Sequence, residues 1–271
     1  MIHSQVIFNR KVVNYQDAGP KEGTATIVFL HGFMNDLDIW HYYVVEYMKK
    51  CRIIAIDLLG HGESSVVSEE HTMDMQAAMV KTVLDAANVK NCVIVGHSMG
   101  GYVALAFAQM YPQYMQGLCL LHSHSLPDRE DEKQSRYEVC ESVDNNRTGF
   151  ILSFVPNLFA ECNREELHQA IGSITDSALK TSAEGIIAAE MGMVKRTSKI
   201  GVLTDSTYPI LFIFGKQDKR IPIELGLVQA MLPAHSEVLI LDNVGHMAHV
   251  EAREVIRKRL WSFLVMCYSQ E

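Results

Sequence analysis

The chain has little that would tie it to a membrane, to nucleic acid or to an oxidising compartment. No run of its 271 residues approaches eighteen or so continuous apolar positions, so no bilayer-crossing helix is expected and a membrane is not an expected partner. The opening MIHSQVIFNRKVVNY has no basic stretch leading into an apolar stretch and a small-residue cleavage site, and a cytoplasmic protein is therefore expected. Lysine and arginine number 24 against 32 aspartates and glutamates, a formal net charge of −8, and they form no dense cluster. A phosphate backbone would be repelled, which argues against a nucleic-acid partner. The six cysteines (Cys51, Cys92, Cys119, Cys140, Cys162 and Cys267) include no C-x-x-C pair. Cys92 and Cys119 lie in apolar runs where a thiol behaves as a small hydrophobe, so all six are expected to be free, as in a reducing compartment. Asn146-Arg147-Thr148 spells a glycosylation sequon that has no use without export. No internal repeat or low-complexity tract is visible.

What is present is the composition of a globular chain, 48% hydrophobic and 21% charged, long enough for a large core. SQVIF and KVVNYQ read as a hairpin turning at Asn9-Arg10. Buried strands in TATIVFLHG, CRIIAID, CVIVG and MQGLCLLHS then alternate with amphipathic helices, including 72–88 and 99–110. This alternation implies βαβ crossovers and an α/β fold with a mainly parallel central sheet of about eight strands, the first pair antiparallel, flanked by helices. From Ser125 no convincing strand appears until YPILFIFG at 208–215, and the interval reads as two to four helices. We expect a core of residues 1–124 and 204–271 carrying a helical cap of residues 125–203. A helix near 224–231, the strand SEVLILDN and a final helix over 248–266 complete the chain.

The chemistry centres on Gly96-His97-Ser98-Met99-Gly100, a G-x-S-x-G that follows a strand and opens a helix. In that setting the serine is forced into a tight turn with its hydroxyl above the sheet. An N-capping serine in a glycine-rich turn is the plainer alternative. A serine nucleophile needs a base that titrates near neutrality, and His246 qualifies because it sits in a glycine turn between a strand and the last helix. His249, three residues on, is expected to pack or lie at the surface. Asp218, four residues past a buried strand, is placed to orient the imidazole, against the alternative of a solvated aspartate beside Lys216, Lys219 and Arg220. The chain order Ser98, Asp218, His246 favours the functional reading. An oxyanion would be met by the amides of Met99 and of Phe33, after His31-Gly32.

Together FLHGF (29–33), AIDLLGHGESS (55–65), VIVGHSMGG (93–101), FGKQD (214–218) and NVGHMAHVE (243–251) resemble the α/β-hydrolase fold superfamily, in its branch of small capped esterase-like serine hydrolases. The resemblance spans almost the whole chain outside the cap. It implies Ser98 as nucleophile, His246 as base, Asp218 as orienting acid, and the Phe33 and Met99 amides as oxyanion hole. Some relatives carry the acid after an earlier strand, but that place here reads His122-Ser123-His124-Ser125 and offers no carboxylate. Gly60-His61-Gly62 is expected to shape a loop.

Ser98 excludes the aspartate-nucleophile chemistry of the family's epoxide hydrolases and haloalkane dehalogenases. Many of its carbon-carbon bond hydrolases read G-N-S-M-G-G, and its menaquinone-pathway lyase carries Arg after the paired glycines, where this chain has His97 and Tyr102. The expected activity is therefore hydrolysis of a small or medium acyl ester through an acyl-enzyme, with no metal or cofactor. Carbon-carbon hydrolysis or lysis remains the alternative, followed by a ligand-binding protein without turnover. FILSFVPNLF (150–159) and IIAAEMGMV (186–194) are the segments expected to line an apolar pocket or to hold the cap together.

Overall fold

A computed structural model describes residues 2–269. Strand β1 (Ile2–Phe8) returns as β2 (Lys11–Ala18) through Asn9 and Arg10 at φ 48° and 64°. Two consecutive left-handed residues make the turn whose twist matches a right-twisted ribbon. Strands β3 (Thr26–Leu30), β4 (Arg52–Ile56), β5 (Cys92–His97), β6 (Met115–Leu121), β7 (Ile210–Gly215) and β8 (Ser236–Leu241) complete an eight-stranded sheet in the order β1-β2-β4-β3-β5-β6-β7-β8. β2 is antiparallel to both of its neighbours and every later pairing is parallel, in keeping with the expected architecture.

The helices are α1 (His41–Tyr47), α2 (Met73–Ala86), α3 (Met99–Met110), α4 (Glu130–Phe154), α5 (His168–Ala178), α6 (Ala183–Val194), α7 (Ile200–Thr204), α8 (Ile223–Ala230), α9 (Ala248–Glu251) and α10 (Arg253–Tyr268). They cover both faces of the sheet, and the central strands β3, β4 and β5 are buried along their whole length. The strand period of two divides the core. In β3, Val28 and Leu30 pack with Val80, Val83 and Val103 of α2 and α3, while Ile27 and Phe29 face Trp40, Tyr43 and Phe263 on the other side.

Four helices, α4 to α7, stand between β6 and β7, the interval where two to four were expected. Helix α4 is kinked at Asn146 (φ −157°, ψ 75°), whose Oδ1 accepts the Gly149 amide at 2.9 Å. Helix α6 lies directly on core loops. The Ala188 carbonyl accepts the His71 amide at 2.8 Å, and a Cβ on Gly185 or Gly192 would sit 2.3 Å from the Gly60 oxygen or 1.9 Å from the His71 oxygen. The single final helix expected over 248–266 is instead two, broken at Ala252 (φ −131°, ψ 42°). The break lets Glu251, at the end of α9, turn its carboxylate back toward the loop that carries His246. No helix among the described residues is long and apolar enough to cross a membrane.

Candidate active site

Ser98 occupies the corner between β5 and α3 at φ 51°, ψ −115°, a conformation that L-residues seldom adopt. The flanking glycines are demanded by space: a Cβ on Gly96 would approach the Gly100 oxygen to 2.4 Å, and one on Gly100 the Leu30 oxygen to 2.3 Å. The hydroxyl makes no capping bond to α3, so the N-cap alternative does not describe this serine. Its backbone oxygen accepts the Gly101 amide at 2.8 Å and the Ser123 hydroxyl at 2.9 Å, which fixes the corner to the end of β6.

Asp218 lies in the loop after β7, its side chain 1% exposed. Its Oδ1 accepts the amides of Arg220 (2.7 Å) and Ile221 (3.2 Å), a local turn that aims Oδ2 away from solvent. Oδ2 accepts the His246 Nδ1–H at 2.8 Å. Burial works to raise the Asp218 pKa, but the facing histidines outweigh it and hold the carboxyl far below the usual carboxylate range. The solvated-aspartate alternative fails for the same reason. The structure thus brings Asp218 and His246 into contact, and Ser98 and His246 line one cavity of about 350 Å³, together with Phe33. Phe33 opens the turn after β3, which the Asn35 amide closes on Gly32 O at 3.2 Å. Met99 is the first residue of α3, whose leading N–H groups have no partner within the helix.

Several positioning groups lay beyond what the sequence disclosed. His97 donates its Nε2–H to the His246 carbonyl at 2.9 Å, so the residue before Ser98 grips the backbone of the histidine 149 positions away. Glu251 accepts the amides on either side of His246, Gly245 at 3.0 Å and Met247 at 3.1 Å, through Oε1. Its Oε2 accepts Ala160 N and Asn163 Nδ2, both at 2.9 Å, so the same carboxylate ties the loop to the segment after α4. His249, expected to pack or to be exposed, is buried between the rings of His97 (4.4 Å) and Trp40 (4.9 Å). Asp57 accepts Leu37 N, Asn14 Nδ2 and Glu63 N within 2.9 Å and so anchors the segment that follows Phe33. His31 is held as a neutral ring, donating Nδ1–H to Gly32 O and accepting the Leu58 amide at Nε2.

The cavity departs from the apolar pocket that the insert's sequence led us to expect. Phe154, Leu158 and Met193 contribute apolar surface, but Arg136, Arg196 and Arg220 line it as well. Neighbouring residues of the same segments, Ile151, Val155, Ile186 and Ala189, pack in the core instead. Asp128 accepts Arg136 Nε at 2.5 Å and lies 2.6 Å from Arg196 Nη1, while Glu190 accepts Arg136 Nη1 at 2.8 Å. Arg220 stacks on the Phe154 ring at 4.4 Å and has no carboxylate within ion-pair distance among the described residues. A helical stripe read from sequence cannot show which long polar side chains bend inward. The six cysteines are free, as expected. His122, Asp218 and His246 gather ligand-capable atoms within 4.8 Å of one another, and N–H···O bonds at 2.8 Å account for that closeness.

Residues 25–138 match the family model of the alpha/beta hydrolase fold. The chain is 29% identical over 250 residues to the dihydrolipoyllysine-residue acetyltransferase component of the acetoin cleaving system of Pseudomonas putida, covering 90% of this chain and 64% of that protein. It therefore spans just under two thirds of that relative's length. It is 25% identical to the putative 2-succinyl-6-hydroxy-2,4-cyclohexadiene-1-carboxylate synthase of Bacillus subtilis strain 168, over 92% of this chain and 93% of the other. Among solved structures, a thermophilic esterase from Thermogutta terrifontis superimposes with a TM-score of 0.91 at 26% identity, covering 98% of this chain and 99% of that one. The strand order, the strained serine corner and these likenesses agree: the chain has the α/β-hydrolase fold and is similar to enzymes of that superfamily.

Proposed function

We propose that the protein is a cytoplasmic serine hydrolase that cleaves a small or medium acyl ester, with residues 125–203 acting as a cap over a core of residues 1–124 and 204–271. Ser98 Oγ attacks the ester carbonyl carbon as His246 Nε2 takes its proton, and Asp218 steadies the imidazolium through the Nδ1–H bond. The amides of Phe33 and Met99 receive the oxyanion. Collapse breaks the carbon-oxygen bond, and His246 hands the proton to the leaving alcohol. Water, deprotonated by the same imidazole, then attacks the acyl-enzyme and releases the acid and the free serine. The route calls on no metal or organic cofactor. The observation that carries the reading is the buried Asp218–His246 pair opening onto the same cavity as the strained Ser98.

A fluorophosphonate probe tests it directly: Ser98 is expected to be labelled, and Ser98→Ala to abolish both labelling and turnover of a p-nitrophenyl ester series. No labelling, or no Ser98-dependent turnover at any chain length, would reject the hydrolase reading. A second reading, cleavage or lysis of a carbon-carbon bond in a carboxylate-bearing substrate, is favoured by one feature, the arginines in the cavity, where Arg220 has no carboxylate within ion-pair distance among the described residues. The name of the Bacillus subtilis relative points the same way. Both chemistries label Ser98, so a panel of neutral esters, half-esters of dicarboxylic acids and β-diketone acids separates them.

A further inference from the structure

Strand β6, like β5, is followed at once by a residue in the left-handed region. His122 stands at φ 49°, beside Ser98 at φ 51°, and donates its backbone amide to Ile213 O at 2.9 Å. Its ring is fully buried, and its Nδ1–H donates to Asp218 Oδ2 at 2.8 Å. That is the oxygen, and the distance, of the bond from His246. The other ring nitrogen, Nε2, is buried without a partner, which leaves His122 neutral with its proton on Nδ1. A bulky residue in the left-handed region with an unpartnered polar atom costs stability twice over. The bond to Asp218 is what the position provides in return.

We propose that His122 is a positioning residue which saturates Asp218 and so sets how much of that carboxylate's charge serves the His246 ring. The inference rests on the reading of Ser98, Asp218 and His246 given above. With Arg220 N and Ile221 N on Oδ1, and His122 and His246 on Oδ2, the carboxylate has four donors and cannot swing away from the imidazole it serves. Because Oδ2 is shared, it stabilises the His246 imidazolium less than an undivided carboxylate would. The other titratable groups facing His122 are the His97 ring at 6.2 Å and the His246 ring at 5.4 Å, with Glu251 and His249 acting on it through the field.

Two variants separate this role from a purely structural one. His122→Asn keeps an N–H close to the Nδ1 position and suits a left-handed backbone, whereas His122→Leu removes the donor. In the pH profile of kcat/KM for an activated ester, the acid limb of the Leu variant is expected to move up by about 0.5–1 pH unit, with kcat lowered roughly tenfold. The Asn variant is expected to keep the acid limb of the wild type. Proton NMR gives a readout free of turnover: two downfield imidazole N–H resonances in the wild type, one of which disappears in His122→Leu. An unmoved acid limb in a folded Leu variant, or loss of activity in both variants with the limb unchanged, would overturn the proposal, as would a single downfield resonance in the wild type. Failure of Ser98 to label while both resonances are present would instead reject the hydrolase reading and leave the shared carboxylate standing.

Discussion

Mild acid is expected to unfold this protein, and the size of the effect follows from its buried histidines. Burial pushes His61 and His124 down to about 3 and His71 to about 4. Burial first, and then neighbouring imidazoles, hold His97 and His249 well below the ordinary value. In the unfolded chain the same rings titrate near pH 6.5. Between pH 6.5 and the folded values the unfolded state binds more protons, so stability falls as pH falls. The contribution is complete above pH 6.5 and is lost progressively below it. At pH 5.5 each ring favours the unfolded state by about 1.4 kcal/mol, and the five together by about 7 kcal/mol. That compares with a total stability of about 5–15 kcal/mol for a typical domain. Asp57 and Glu190, whose carboxyls burial raises, act with the opposite sign as they protonate and soften the loss at the acid end. Urea unfolding followed by circular dichroism at pH 8, 6.5 and 5.5 measures the slope. A fall of less than about 2 kcal/mol between pH 8 and 5.5 would refute the account, because it would mean that these rings are solvated or paired in the folded state.

Three substitutions probe the supports of the site. Gly100→Ala puts a methyl 2.3 Å from the Leu30 oxygen, backbone that cannot step aside, and is expected to lower stability by about 1–3 kcal/mol or more, seen as a fall in Tm of several degrees. Glu251→Gln turns an N–H₂ toward amides that need an acceptor. It should cost about 1–3 kcal/mol in urea unfolding and lower kcat more than it raises KM, since the His246 loop loosens. Asp57→Ala leaves the Leu37 and Glu63 amides and the Asn14 side chain without their acceptor, and a loss of about 3 kcal/mol is expected, with slower turnover because the segment after Phe33 is freed.

Much of the framework was legible because it is local. Strand alternation, the glycines around Ser98 and the left-handed turn at Asn9-Arg10 each depend on residues within a few positions, and they appear where the sequence placed them. The final helix was misread because its break at Ala252 goes with bonds from Glu251 to residues as far away as Ala160, and no helical period carries that information. His122 was passed over as a place without an acid. Its partner lies 96 residues away, and only the pairing of β6 with β7 brings the two loops side by side.

The sequence by itself therefore determined the alternating strands and helices, the strained corner at Ser98 and the candidacy of Asp218 and His246, since side-chain period, steric demand and chain order are written along the backbone. Only the tertiary structure decided that one oxygen of Asp218 serves two histidines, that Glu251 clamps the His246 loop and that arginines enter the cavity. Each of those depends on parallel strands bringing distant loops to the same edge of the sheet, where burial compels every polar group to find whichever partner the register supplies.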